Sequence, residues 1–371
     1  FSVESRHLGG WTRDGIRMAF NQIITTQAAP AISGAIGKFT FSPDKHTINN
    51  YSTYAVQYMA NGKFYQTDFV SRGGKVSSSE HGAWIWNKLY DQDFDYAQTD
   101  AHLKPCEGNK AVLIGASSGW NNYRHQADIL AYYQELKKNG FTDDDLILIM
   151  ADDLAYDSKN PYPGQIIRNN KSLENLYSDV KIDYKLDQIS PLDLKNILLG
   201  KSNEKLPVVL DSDDSDNVLL LWSGHGAPGT LLWDENQKTI TGDFMSDLFN
   251  EMYAAGKYRK LFGIIEACYA GSVAAKCKGV PNLLLMTAAN DKETSKAELY
   301  APLWNTYLSN SFTMAMLEAL QGENYYYLSI RDLYSEAFTK TMGSHVTLYN
   351  MESFGNVFLN YVIEYFVNFS F

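Results

Sequence analysis

"LFGIIEACYAGSV", residues 261–273, runs from an apolar segment straight into an acid, a thiol and a set of small residues. Its first five residues have the composition of a short buried strand, β-branched toward the end. The continuation "EACYAGS" (266–272) sets polar and reactive groups over a Gly/Ser turn. Parallel sheets keep their ligands and reacting groups at that carboxyl end of their strands. The stretch therefore predicts an α/β sheet with chemistry along one edge.

Working outward, the chain from about residue 110 alternates strand and helix. "KAVLIGAS" (110–117), "LILIMADD" (146–153), "NVLLLWSGHG" (217–226), "KLFGIIEAC" (260–268) and "LLLMTAAN" (283–290) read as strands. "HQADILAYYQELKKNG" (125–140) is an amphipathic helix stopped by Gly140. "SPLDLKNILLG" (190–200) is a helix with Ser190 as N-cap and Pro191 in the first position. "TGDFMSDLFNEMYAAG" (241–256), "LWNTYLSNSFTMAMLEALQ" (303–321) and "SIRDLYSEAFTKTM" (329–342) are also expected to be helical. Such alternation predicts a mostly parallel sheet covered on both faces.

Residues 1–105 differ. Residues 10–24 have helical spacing, residues 37–70 alternate as short antiparallel strands, and the polar stretch 91–109 is the expected boundary. A chain of 371 residues has room for two such units, and its formal net charge of −11 argues against a nucleic-acid binder, which normally shows a basic face. The acidic run "LDSDDSD" (210–216) lacks a glycine-centred calcium loop and reads as solvated. No stretch approaches the length of a membrane span, and the apolar tail 358–371 is expected to pack as a terminal strand or helix. Cys106, Cys268 and Cys277 are too few for a disulfide scaffold, although Cys106 and Cys277 can pair in an oxidising compartment. The chain starts at Phe1, which suggests that a signal peptide or a larger precursor segment has been removed.

Three strand ends carry chemistry: Asn122, Arg124 and His125 after the first, His225 between two glycines after the second, Glu266 and Cys268 at the third. A lone cysteine is most often a small buried hydrophobe. A histidine on a tight glycine loop at a neighbouring strand end turns that thiol into a candidate nucleophile with a proton-transfer partner. The N–H groups of Gly226 and Cys268 can together hold a developing oxyanion.

The blocks "SSGWNNYRHQADILAYYQELKKNGF", "DDLAYDSKNPYPG", "WSGHGAPG", "KYRKLFGIIEACYAGS" and "TAAN", in that order between residues 110 and 290, resemble the legumain family of cysteine peptidases, the asparaginyl endopeptidases. That family shares the caspase fold and is related to the catalytic subunit of the GPI transamidase. The resemblance implies a caspase-like α/β/α sandwich over 106–371, with a mostly parallel central sheet, preceded by a small mixed α/β module over 1–105. It implies Cys268 as nucleophile, His225 as catalytic histidine, Asn122 as the residue orienting that histidine and Gly226 as an oxyanion donor. Arg124, His125 and Glu266 match residues lining the primary specificity pocket. An arginine and a carboxyl there suit a side-chain amide, whose carbonyl accepts and whose NH₂ donates; protonated Asp can do the same. Plainer readings stand beside these: Arg124 as a surface charge paired with Asp128, His125 as a packing residue at the helix start, Asn122 as a turn residue.

Two departures from the family follow. After "TAAN" the family has a serine-rich stretch, where this chain has "DKETS", with Ser295 or Thr294 as the stand-in. A family aspartate before a tryptophan is Leu303 here, ahead of Trp304, so the pocket is expected to lose an anion and to be less strict for Asn. With the chain ending at 371, the family's C-terminal helical prodomain is not expected here, and any control is expected from residues 1–105, with Asp100 and Asn109 as candidate processing sites; a plain accessory module is the other reading. The implied activity is cysteine endopeptidase, with protein or peptide substrates, no metal or organic cofactor, and export from the cell. A transamidase using the same acyl-enzyme, or a surface binding protein with an inactive peptidase domain, are the alternatives.

Overall fold

The computed structural model describes residues 103–169, 173–234, 238–322, 328–355 and 366, together with short strands within the first 77 residues. Those strands are β1 (Ile32–Gly34), β2 (Gly37–Phe41), β3 (Ile48–Asn49), β4 (Tyr54–Ala60), β5 (Lys63–Val70) and β6 (Val76–Ser77). They pair antiparallel as β1-β2-β3 and β4-β5-β6, in keeping with the alternation over 37–70. The helix expected over 10–24 and the polar boundary over 91–102 lie outside the described residues.

Leucine- and β-branched-rich runs without polar alternation are strands buried on both faces, which is how they assemble here. The elements of this part are β7 (Gly108–Gly115), α1 (Tyr123–Lys138), β8 (Leu146–Met150), β9 (Tyr184–Lys185), α2 (Pro191–Leu198), β10 (Asp216–Ser223), β11 (Gly226–Ala227), β12 (Thr230–Trp233), β13 (Lys238–Thr241), α3 (Gly242–Ala254), β14 (Lys260–Glu266), α4 (Ala270–Ala274), β15 (Leu283–Thr287), β16 (Ala297–Ala301), β17 (Thr306–Asn310), α5 (Ser311–Leu320), α6 (Ile330–Lys340), β18 (Thr347–Tyr349) and α7 (Met351–Phe354). A seven-stranded sheet has the order β18-β15-β14-β10-β7-β8-β9, parallel throughout except for β18 at its edge.

The period-2 geometry of a strand sends alternate side chains to opposite faces, and two cores result. Leu113, Leu219, Leu221, Phe262 and Ile264 face α1, α5 and α6. Val112, Ile114, Leu220, Leu261 and Ile265 face α2, α3 and α4. Each such side chain, fully removed from water, contributes about 1.5–3 kcal/mol. This is the α/β/α layering that the strand–helix alternation predicts. Local chemistry sets the helix starts. Ser190 Oγ accepts from Asp193 N–H at 3.2 Å while Asp193 Oδ2 accepts from Ser190 N–H at 2.8 Å, a reciprocal cap on α2. Thr241 caps α3 through Phe244 N–H.

Several expectations are corrected. Residues 303–310 are not helical: they close the β16–β17 hairpin, and α5 begins at Ser311. Thr306 and Leu308 are buried on either side of the half-exposed Tyr307, as suits the extended chain that pairs antiparallel with β16. Asn109 lies within β7, 1% exposed and paired in register with Asn217, so the intact sheet shields it from processing. All three cysteines are free, so Cys106 and Cys277 do not pair. Of the tail over 358–371, Phe366 is described, buried against the rings of Phe262 and Phe354. Among the described residues, no helix is long and apolar enough to cross a membrane.

Candidate active site

The three central strands end in one row, with Ser223 of β10 opposite both Gly115 of β7 and Glu266 of β14. Each then passes into a loop over that row, so groups more than a hundred residues apart in sequence share one small volume.

The loop after β7 carries Asn122. Gly119 turns at φ 80° and its N–H donates to Asp153 Oδ2 at 2.6 Å. Asn122 Nδ2 donates to Ser118 O at 2.9 Å, which orients the amide so that Oδ1 accepts from His225 Nε2 at 2.7 Å. His225 therefore carries its proton on Nε2 and keeps the Nδ1 lone pair for a second partner. Burial, with the Arg124 charge second, holds His225 below its ordinary pKa of 6.5, so the ring is neutral at neutral pH and competent as a base. His125 lies behind it. It is buried, its Nδ1 is hydrogen-bonded to Ser117 Oγ at 2.5 Å, and the two imidazoles meet edge to face at 4.8 Å. Burial, then Arg124 and His225, keeps His125 neutral.

The loops after β10 and β14 touch. A Cβ on Gly226 would stand 2.1 Å from the carbonyl oxygen of Cys268 and 3.2 Å from its carbonyl carbon, so only glycine permits this approach. Gly226 pairs with Leu231 while Leu232 N–H donates to His225 O, a register that turns the Gly226 N–H away from β12. Among the described residues, nothing accepts from the Cys268 N–H. Cys268 itself is half-buried, with Sγ 3.9 Å from both the carbonyl and the hydroxyl of Ser295. Tyr269, next in the chain, is left-handed at φ 54°. Ser272 Oγ accepts from Gly229 N–H at 2.7 Å and donates to Tyr269 O at 2.6 Å, tying the histidine loop to the cysteine loop.

Near the thiol is a buried charged cluster. Arg124 Nε donates to Asn310 Oδ1 and Nη1 to Asn121 O, both at 3.0 Å. Asn310 Nδ2 in turn donates to the buried Asp128 at 2.7 Å, and Ser309 Oγ does so at 2.7 Å. Arg124 thus reaches Asp128 through an amide rather than as a direct ion pair. Burial raises Asp128 to about 6. Glu266 is 2% exposed; its Oε2 accepts from Thr313 N–H at 3.1 Å and Thr313 Oγ at 3.2 Å. Its Oε1 is buried without a close hydrogen-bond partner, and the Ser295 side chain near the carboxyl favours the charged form. Burial, with Asp128 second, pushes Glu266 up to about 8. Arg124 and Glu266 thus lie close enough to feel each other's charge and that of Cys268, the carboxyl enclosed beneath the guanidinium's neighbours.

Cys268, His225, Asn122, Gly226, Arg124, Glu266 and Ser295 are brought together, with His125 behind His225. Sequence reasoning misses Asn310, Asp128 and Thr313 as partners of Arg124 and Glu266. Asn310 falls in a segment that reads as helix, and a buried Asp in mid-helix carries no local signal. Leu303, in the position where the family's acid is expected, is 64% exposed on the β16–β17 turn.

The family model described as the Peptidase C13 family matches residues 109–364, past residue 290 where the motif resemblance fades. The chain is 35% identical to the vacuolar-processing enzyme delta-isozyme of Arabidopsis thaliana, over 56% of this chain and 44% of that protein. It is 31% identical to legumain of Homo sapiens, over 66% and 57% respectively. It is 32% identical to a putative GPI-anchor transamidase of Drosophila melanogaster, over 61% and 63%. The chain thus spans less than two thirds of the length of these relatives. Among solved structures it is similar to caspase-1 of Spodoptera frugiperda, with a TM-score of 0.41 and 11% identity, covering 67% of this chain and 89% of that one.

Proposed function

The chain belongs to the Peptidase C13 family, and from that premise we propose that it is a cysteine endopeptidase that cuts after Asn and also after Asp. The observation that carries the reading is the Asn122–His225 hydrogen bond at 2.7 Å, made over the same sheet edge where the Cys268 loop presses on Gly226. His225 Nδ1 takes the thiol proton, and the Cys268 thiolate attacks the carbonyl carbon of the scissile bond. The electron pair displaced onto oxygen is held by the N–H groups of Gly226 and Cys268. His225 returns the proton to the leaving amine as the C–N bond breaks, leaving a thioester on Cys268. Water, deprotonated by His225, then releases the acid and frees the thiol.

Arg124 and Glu266 bind the side chain before the cut. The Asn carbonyl accepts from the guanidinium, and its NH₂ donates to Glu266 Oε1. A Glu266 that is largely protonated at neutral pH leaves Arg124 as the net charge, which admits an Asp carboxylate as well. The Drosophila relative supports a second reading, transfer of the same thioester to an amine instead of water. Residues 1–105 form a separate accessory or pro-region in this proposal, and export to an acidic compartment suits the raised carboxyl groups of the pocket.

The test is a peptide library varied at the residue before the cut, run at pH 5 and pH 7.5 with Cys268→Ala as the blank. Cutting after Asn and Asp supports the reading. Cutting after other residues discards the pocket assignment, and product seen only when an amine acceptor is added selects transfer over hydrolysis.

A further inference from the structure

A carboxylate–imidazole pair, its histidine buried and its glutamate half-buried, sits outside the catalytic set. Glu293 Oε1 accepts from His345 N–H at 2.7 Å and from Asn290 N–H at 3.3 Å. His345 Nδ1 lies 2.8 Å from Glu293 Oε2 and 3.1 Å from Oε1, and the histidine is 6% exposed. One carboxylate thus gathers the 290–295 segment onto the loop between α6 and β18. A second bond from that loop, Ser344 Oγ to Ala288 O at 2.7 Å, reinforces it.

The same segment touches the nucleophile's turn, and Ala289, just ahead of it, touches that turn again. The backbone carbonyl of Glu293 accepts from Tyr269 N–H at 2.8 Å, and Gly271 N–H donates to Ala289 O at 3.1 Å. Tyr269, which follows Cys268, is a non-glycine residue in the left-handed region at φ 54°. Such a conformation persists only where its surroundings over-determine it. Two residues beyond Glu293, Ser295 places its carbonyl and hydroxyl 3.9 Å from Cys268 Sγ.

We propose that Glu293, clamped by His345, is a positioning residue: it holds segment 290–295 so that Tyr269 keeps its left-handed turn and Cys268 faces His225. This deepens the peptidase reading and rests on it. The carboxylate touches neither substrate nor the reacting atoms; it acts through the Glu293 carbonyl and Ser295.

The test compares Glu293→Ala, Glu293→Gln and His345→Ala with wild type on an Asn peptide. Iodoacetamide alkylation of Cys268 is followed by mass spectrometry from pH 5.5 to 8.5. Glu293→Ala is expected to lower kcat by about tenfold or more with KM changed by less than about threefold, since a misplaced nucleophile weakens the chemical step rather than binding. Its alkylation profile should move toward that of a thiol without a histidine neighbour. Glu293→Gln keeps an acceptor for both N–H groups and should restore kcat to within about threefold. If Glu293→Ala fails to fold by near-ultraviolet circular dichroism, His345→Ala carries the comparison with the same expected direction. An unchanged kcat and alkylation profile in a folded variant overturns the proposal, as does a Gln variant as impaired as Ala. Alkylation needs no peptidase turnover. A wild-type protein that cuts nothing while the variants still shift the profile would therefore remove the peptidase reading and leave the positioning role standing.

Discussion

Gly226→Ala tests the oxyanion geometry most directly. In the native loop a Cβ would lie 2.1 Å from Cys268 O, and real Cβ contacts below 3.0 Å essentially never occur. The obstructing atoms are backbone, with Ala267 Cβ a further 3.3 Å contact, so no side chain can swing aside. The two loops must part by roughly 0.9 Å to reach even that limit. A displacement of about 1 Å between donor and reacting atom costs about 100-fold in rate, or about 2.7 kcal/mol of transition-state stabilisation. Loss of one oxyanion donor costs a similar 10²–10³-fold, roughly. The expected result is therefore kcat/KM on an Asn peptide reduced about 100-fold, mostly in kcat. Iodoacetamide alkylation of Cys268 should persist, because the thiol and His225 are retained. Overpacking of this kind costs about 1–3 kcal/mol of stability, so activity is to be read well below the Tm of the variant. A Gly226→Ala protein within about threefold of wild type would refute the close-approach argument and the oxyanion role together.

Other outcomes follow from the same geometry. Asn122→Ala removes the acceptor for His225 Nε2–H and should lower kcat by about 10- to 100-fold, with about 1 kcal/mol of stability lost through the unpaired Ser118 carbonyl; an unchanged kcat would demote Asn122 to a turn residue. Glu266 and Asp128 have folded pKa values of about 8 and about 6, both above the ordinary carboxyl range, so the folded state binds their protons more tightly. Stability is then highest in acid and is lost as pH rises from about 4 to about 8, on the order of a few kcal/mol. Calorimetry should show Tm falling by roughly 5–10 °C between pH 5 and pH 8.5, with the slope flattened in Glu266→Gln; a Tm that rises over this range contradicts the burial argument. Leu303→Asp places a charge on an exposed turn and should alter the Asn-to-Asp cleavage ratio by less than about twofold, whereas a strong gain in Asn selectivity would show that position 303 reaches the pocket after all.

Much was legible in the linear chain because the informative signals are local. Apolar runs without alternation announced strands buried on both faces, and Ser190-Pro191 and Gly140 marked helix ends through capping and left-handed geometry. Glycines beside His225 and small residues after Cys268 placed both on turns at strand ends, which in a parallel sheet is enough to bring them to one edge. The "YRHQAD", "SGHG" and "EAC" strings carry the resemblance to the peptidase family by themselves. What the linear chain could not contain is distance. Register alone puts Gly115, Ser223 and Glu266 in one row and brings the Gly226 backbone against the Cys268 carbonyl. Asn310 links Arg124 to Asp128 only because tertiary packing overrides helical spacing and closes the β16–β17 hairpin beside α1. Glu266 is shifted because neighbours distant in sequence exclude water from around it, and desolvation is a property of the assembled volume. Reactive groups were announced by type and spacing; their mutual orientation, charge state and support were decided by the fold.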